Sequence, residues 1–148
     1  MAWEVEYTDE FGAWWENLTE QEQGDVAAYV GVLERRGPML PYPYSSGVRR
    51  SKHGAMRELR VQSAGKPIRI FYAFDLRRMA ILLIGGRKAG VQRFYDKFIP
   101  IADRLYDEHI DELRAESEKE RRHGRTTSVR GTSKQDVPAG AKPRRGKG

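Results

Sequence analysis

Residues 58–72, ELRVQSAGKPIRIFY, constrain the fold more than any other stretch of the chain. Two runs rich in apolar and β-branched residues flank Ser-Ala-Gly-Lys, which is the pattern of a β-hairpin. An even loop centred on Ala64-Gly65 makes the numbers of paired residues sum to 129. Val61 then faces Ile68 and Leu59 faces Ile70, which gives one apolar face. An odd loop would oppose apolar and polar residues, because a one-residue slip turns every side chain to the other face. The same register sets Arg60 opposite Arg69 on the second face. Like charges opposed across strands destabilise a sheet, by an amount comparable to the roughly 0.2–1 kcal/mol that good pairs contribute. Two remedies exist. Glu58, on the same face as Arg60, can form an internal ion-pair cluster, or an external anion can bridge the two guanidinium groups. The planar fork of arginine suits phosphate. Lys52, Arg57, Arg87, Lys88 and Arg93 share this block, and one glutamate does not neutralise them, so the pair reads as an anion site.

Charge along the chain points the same way. The net +6 over 148 residues divides into −7 for residues 1–48, +10 for 49–93, −4 for 94–113 and +7 for 114–148. A basic block between acidic ones suggests a face for polyanions. Cysteine is absent, which excludes disulfides and thiolate metal sites. The three histidines are scattered, so neither a metal nor another cofactor is expected. The longest apolar run, residues 79–86, falls far short of the ~20 needed to cross a bilayer. The acidic beginning MAWEVEYTDEF lacks the pattern of a signal peptide. The expectation is a cytoplasmic protein with no membrane partner.

Around the hairpin the elements are read as follows. Trp3–Tyr7 forms a short strand, and Thr8 or Asp9 caps a helix through Leu18. Thr19 with Glu22 has the form of a capping box opening a second helix, which Gly37-Pro38 stops. Residues 38–55, with three prolines, cross the surface as a loop. Strands span roughly 56–62, 67–74 and 79–85, and the last, rich in AILLI, lies inside the sheet, covered on both faces. Residues 91–98 form a short helix or turn. Pro100 suits the first turn of another helix, on which His109 is expected partly exposed. From 114 onward the chain has almost no large apolar residue and reads as a disordered basic tail, a solubilising appendage or an attractor of RNA by charge.

WEVEYTDEFGAWWENL, MRELRV, PIRIFYAFD and AILLIGGRKAG, in that order, resemble the RelE/ParE toxin superfamily, most closely its HigB-like branch, over residues 3–113. The resemblance implies an α+β domain over 1–113, with two N-terminal helices packed on a small, curved, mainly antiparallel sheet, then a C-terminal helix and the tail 114–148. It implies the toxin of a type II toxin–antitoxin system, cutting messenger RNA on the ribosome and held silent by a cognate antitoxin, commonly of the helix-turn-helix type. Arg69 matches the arginine of the family's middle strand, Arg87 or Lys88 the basic position after the last strand, and Tyr95 the aromatic position beyond. His53 and Lys52 lie in the preceding loop, where members place a basic or histidine side chain. Two departures stand out. Met56 and Glu58 occupy positions where RelE carries lysines, and the interval from GGRK to Tyr95 differs.

RNA carries its own nucleophile, the 2′-hydroxyl, so cleavage needs a base, cations for the phosphorane and an acid, but no metal. On this reading Arg69 and Arg60 clamp the phosphate and Arg87 or Lys88 assists. His53 is the candidate acid or base because imidazole titrates near neutrality, Lys52 is the alternative if neighbouring cations depress its pKa, and Tyr95 stacks or orients. Arg57, Arg93, Lys52 and Lys88 bind the RNA backbone. Two other functions remain open: a ParE-like inhibitor of gyrase, and a non-catalytic RNA-binding accessory protein.

Overall fold

The computed structural model describes residues 2–123 and 140–144. Six strands form one mixed sheet: β1 Val5–Tyr7, β2 Ser45–Gly47, β3 Arg57–Ser63, β4 Lys66–Phe74, β5 Ala80–Arg87 and β6 Ala141–Pro143. Their spatial order is β2-β3-β4-β5-β1-β6. The pairings β2/β3, β3/β4 and β4/β5 are antiparallel, while β1 lies parallel to β5 and β6. Helices α1, Asp9–Glu16, and α2, Glu20–Arg36, follow β1, and α3, Val91–His123, follows β5.

Local sequence explains the entries. Thr8 caps α1 by accepting from the Phe11 amide, and Thr19 with Glu22 closes a reciprocal capping box on α2. At the β3–β4 turn Ala64 and Gly65 have φ of 51° and 78°. Two successive positive φ values match the type I′ hairpin, whose twist suits the flanking strands. The pairing is as expected, with Leu59 opposite Ile70, Arg60 opposite Arg69 and Val61 opposite Ile68.

The sheet is covered on both faces. Leu59, Val61, Ile68, Ile70, Tyr72 and Leu82 pack with Phe11 and Trp15 of α1 and Val26, Val30 and Leu33 of α2. Phe71, Ala73, Ile81 and Leu83 pack with Phe94, Ile99, Ala102, Leu105 and Tyr106 of α3. The apolar run in β5 is therefore buried from both sides, which is why it shows no polar alternation.

Four expectations need correction. Residues 38–55 are not loop throughout, because Ser45–Gly47 pairs with β3 as strand β2. Residues 91–98 and the segment from Pro100 form one helix, with Pro100 inside it. The ring removes one backbone bond and crowds the preceding turn. Phe94 and Phe98 before it stack on Phe71, while Leu105 and Tyr106 beyond it are buried on the same sheet face, and this packing offsets the local cost. The boundary at 114 falls within α3, which continues to His123, and Ala141–Pro143 extends the sheet. Residues 124–139 and 145–148 of the expected tail lie outside the described residues. His109 is buried, with Nε2 at 2.7 Å from Oδ2 of Asp75.

Between Phe71 and Tyr72 the β4–β5 register shifts by one residue, the mark of a β-bulge. Beyond it Arg69 pairs with Gly86. A Cβ at Gly86 would lie 2.7 Å from the Phe98 ring and 3.1 Å from Phe94. Gly86→Ala should therefore push α3 off the sheet and cost about 1–3 kcal/mol, the usual range for overpacking. A denaturant titration showing an unchanged midpoint would refute that.

Candidate functional site

Alternation along β3 and β4 puts Glu58, Arg60 and Arg69 on the face toward α3, beside the helix's first turns. Glu58 and Arg69 are each only 5 % exposed, whereas the Arg60 side chain is 25 % exposed. The two arginines are thus neighbours, but they are not an open pair. Arg69 is buried and Glu58 sits between them. Glu58 Oε2 lies 3.5 Å from Arg60 Nη1 and accepts from the Ser46 hydroxyl at 3.0 Å. Glu58 Oε1 accepts from the Tyr95 hydroxyl at 2.6 Å and lies 3.9 Å from Arg69 Nε. That last separation is an ion pair beyond hydrogen-bonding reach, and Arg69 Nε has no hydrogen-bond partner among the described residues. Of the two remedies open from the sequence, the internal ion-pair cluster is the one present: a single carboxylate is shared between two guanidinium groups.

Lys88 supplies the third cation. Its ammonium lies 5.6 Å from the centroid of the Tyr95 ring. Burial and the charge of Arg69 hold its pKa below the ordinary lysine value, with Arg60 adding to this and Glu58 opposing it. Tyr95 is pushed up to about 12 by burial, then by its bond to the Glu58 carboxylate, with Arg69 pulling the other way. The phenol therefore stays protonated at neutral pH and donates to Glu58.

The other expected residues lie elsewhere. Arg87 points toward the α1–α2 face, where it makes a two-pronged contact of 2.8 and 2.6 Å with Glu22. The bulge decides this. Were the β4–β5 pairing unshifted, Arg69 would face Gly85, and Arg87 would share its side of the sheet. The extra residue hands that side to Gly86 and Lys88 instead. His53 Nε2 lies 2.8 Å from Oδ1 of Asp107, and the Lys52 ammonium lies 2.8 Å from Oδ2 of the same residue. Asp107 is twelve residues beyond Tyr95 along α3, or about 18 Å at 1.5 Å per residue, so neither His53 nor Lys52 joins the arginines. Arg57 faces the α1–α2 side and donates from Nε to the Ser45 hydroxyl at 2.9 Å. Arg93 is exposed in the first turn of α3.

One aromatic residue at the site was not singled out from the sequence. Tyr42, in the proline-rich loop, lies beside Arg60, whose guanidinium carbon is 5.0 Å from the ring centroid. Nothing in PMLPYPY separates this tyrosine from Tyr44, because their placement depends on how the loop crosses β3.

The described residues hold no cluster of histidine and carboxylate side chains able to bind a metal, and no described helix is long and apolar enough to cross a membrane. The model of the family described as phage derived protein Gp49-like (DUF891) matches residues 13–107. The chain belongs to this Gp49-like family. The matched span of this Gp49-like protein takes in Glu58, Arg60, Arg69, Lys88 and Tyr95 and stops short of β6. Among curated proteins of Mycobacterium tuberculosis, the one named "Putative toxin HigB2" is 36% identical over 124 residues, 82% of this chain and 61% of its own length. The one named "Putative toxin HigB3" is 45% identical over 91 residues, 61% of this chain and 78% of its own. The chain thus spans less than two thirds of the first of these relatives. No solved structure gives a significant match.

Proposed function

We propose that this protein is the toxin of a type II toxin–antitoxin system, of the RelE/ParE superfamily, and that it cuts messenger RNA at the Arg60–Arg69–Lys88 cluster. The names of the two relatives support the first part. The second rests on one observation above all: three cations gather around a single carboxylate, and the buried Nε of Arg69 lacks a hydrogen-bond partner. A phosphodiester supplies the missing negative charge and acceptors. Arg60, the more exposed of the two arginines, receives it first.

In the reaction Glu58 takes the proton of the 2′-hydroxyl as that oxygen attacks the adjacent phosphorus. Arg60 and Arg69 stabilise the charge on the phosphorane. The bond to the 5′-oxygen then breaks, and Lys88, whose pKa is lowered, gives that oxygen its proton. The products are a 2′,3′-cyclic phosphate and a 5′-hydroxyl end. Tyr95 orients Glu58 through its hydrogen bond. His53, Lys52, Arg57 and Arg87 have no part in this chemistry. Translating ribosomes position the message, and a co-expressed antitoxin keeps the protein silent.

Mapping of transcript ends after induction tests the proposal. Cuts inside coding regions, in frame with codons and bearing 5′-hydroxyls, are expected. Growth arrest with intact transcripts and a DNA-damage response would instead indicate a gyrase inhibitor. Bound but unbroken RNA would indicate an accessory protein.

A further inference from the structure

The segment between α2 and β2 carries three large exposed side chains, Met39, Tyr42 and Tyr44, with Tyr42 68 % exposed. A single exposed aromatic side chain is ordinary on a protein surface, but the backbone around this one is held in place. The Tyr44 and Ser45 amides both donate to the Pro41 carbonyl, at 2.9 and 3.1 Å, and the Arg60 amide donates to the Tyr44 carbonyl at 2.8 Å. The loop is thereby tied to β3 at the residue that forms the outer lip of the cation cluster. The guanidinium of that same residue lies against the Tyr42 ring, which places an exposed π-face directly beside the group that meets a phosphate.

We propose that Tyr42 is a base-stacking platform for single-stranded RNA, holding the base of a nucleotide that flanks the scissile phosphate. The inference rests on the RNA-cleaving reading and adds a positioning residue to it. In a single strand the bases are splayed outward, and stacking on an aromatic ring is the usual way a protein grips them. Arg60 then acts twice, with its charge toward the phosphate and its flat face toward the ring that carries the base. A base held beside a clamped phosphate also fixes the sugar between them, and with it the angle from which the 2′-hydroxyl attacks. An antitoxin is the other occupant for an exposed tyrosine, but the contact with Arg60 favours a ligand that carries phosphate and base together.

The test uses the full chain and a short single-stranded RNA made uncleavable by 2′-O-methyl groups. Tyr42→Ala should weaken binding by about tenfold, the scale of one lost stack, and Tyr42→Trp should restore it. Removing the bases one at a time should reveal one abasic position at which Tyr42→Ala causes no further loss. Arg60→Ala should weaken intact and abasic strands alike. If Tyr42→Ala binds the intact strand as wild type does, the platform is refuted while the nuclease reading survives, and loss of antitoxin binding in that variant would reassign the ring to a protein partner. If wild type binds no RNA and cuts none during translation, both readings fall together.

Discussion

Replacing Lys88 with alanine is expected to reduce message cleavage in a translating extract by about 10²-fold or more, the usual contribution of a positioned proton donor. Arg69→Ala should cost a comparable or larger factor, because a donor aimed at the phosphorane in a dry site contributes about 10²–10³-fold. Arg87→Ala, one residue from Lys88, should cleave at the wild-type rate. Its pairing with Glu22 is half exposed and holds the first turn of α2, so its loss costs less than about 1 kcal/mol. The contrast between neighbours tests the bulge as well as the chemistry. Because Arg69 is buried, its removal also leaves Glu58 with fewer partners, and Arg69→Lys keeps the charge while losing the fork. That variant should fold yet remain slow, which a melting curve beside the cleavage assay would show. With Lys88 as the acid, the rate should fall as pH rises through a pKa lower than that of an ordinary lysine, in the direction set by its burial and by Arg69. Equal cleavage by Lys88→Ala and wild type, or a loss confined to Arg87→Ala, would return the site to the unshifted register.

How much of this could be read in the sequence depended on how far each inference reached. The hairpin is legible because its residues are adjacent and the apolar pattern allows one register, which alone brings Arg60 and Arg69 together. The helix caps at Thr8 and Thr19 were legible for the same local reason. The partner across β5 was not. AILLI is buried on both faces and has no alternation from which to count parity, so the bulge that exchanges Arg87 for Lys88 left no sign. His53 was misplaced from the cluster because its surroundings depend on Asp107, more than fifty residues away, and on α3 running unbroken through Pro100. The expected break at that proline was a sound local inference, and tertiary packing overrode it.

The same long helix leads to the largest expected effect on stability. Asp75, in the turn after β4, has a fully buried side chain. It is bonded to His109 of α3 at 2.7 Å and to Arg77 at 2.7 Å, and Arg77 reaches on to Glu6 of β1 at 2.9 Å. Arg144, just beyond β6, faces the same region, 3.8 Å from Glu6 and 3.8 Å from Glu112, and donates to Glu116 at 2.6 Å. Burial alone would raise the Asp75 pKa. Hydrogen bonds from His109 and Arg77, together with the charge of Arg77, outweigh it and hold the carboxyl well below its ordinary range. A folded-state pKa below the unfolded value means stability that is present above about pH 4 and lost as pH falls below it. Asp75→Ala removes one partner and leaves an arginine and a histidine facing a void, so it should cost about 3–5 kcal/mol at neutral pH. Asp75→Asn keeps the shape but cannot titrate. It should therefore be destabilised at pH 7 and show a flatter loss of stability between pH 5 and 2 than wild type. Melting curves across that range would check both, and parallel acid limbs in wild type and Asp75→Asn would refute the assignment. The consequence reaches the cation cluster, since Tyr95 and His109 lie on one helix about 21 Å apart. Asp75 clamps its far half to the sheet, and loosening that clamp should weaken the hold of Tyr95 on Glu58. Asp75→Asn is accordingly expected to slow cleavage although it touches no reacting atom.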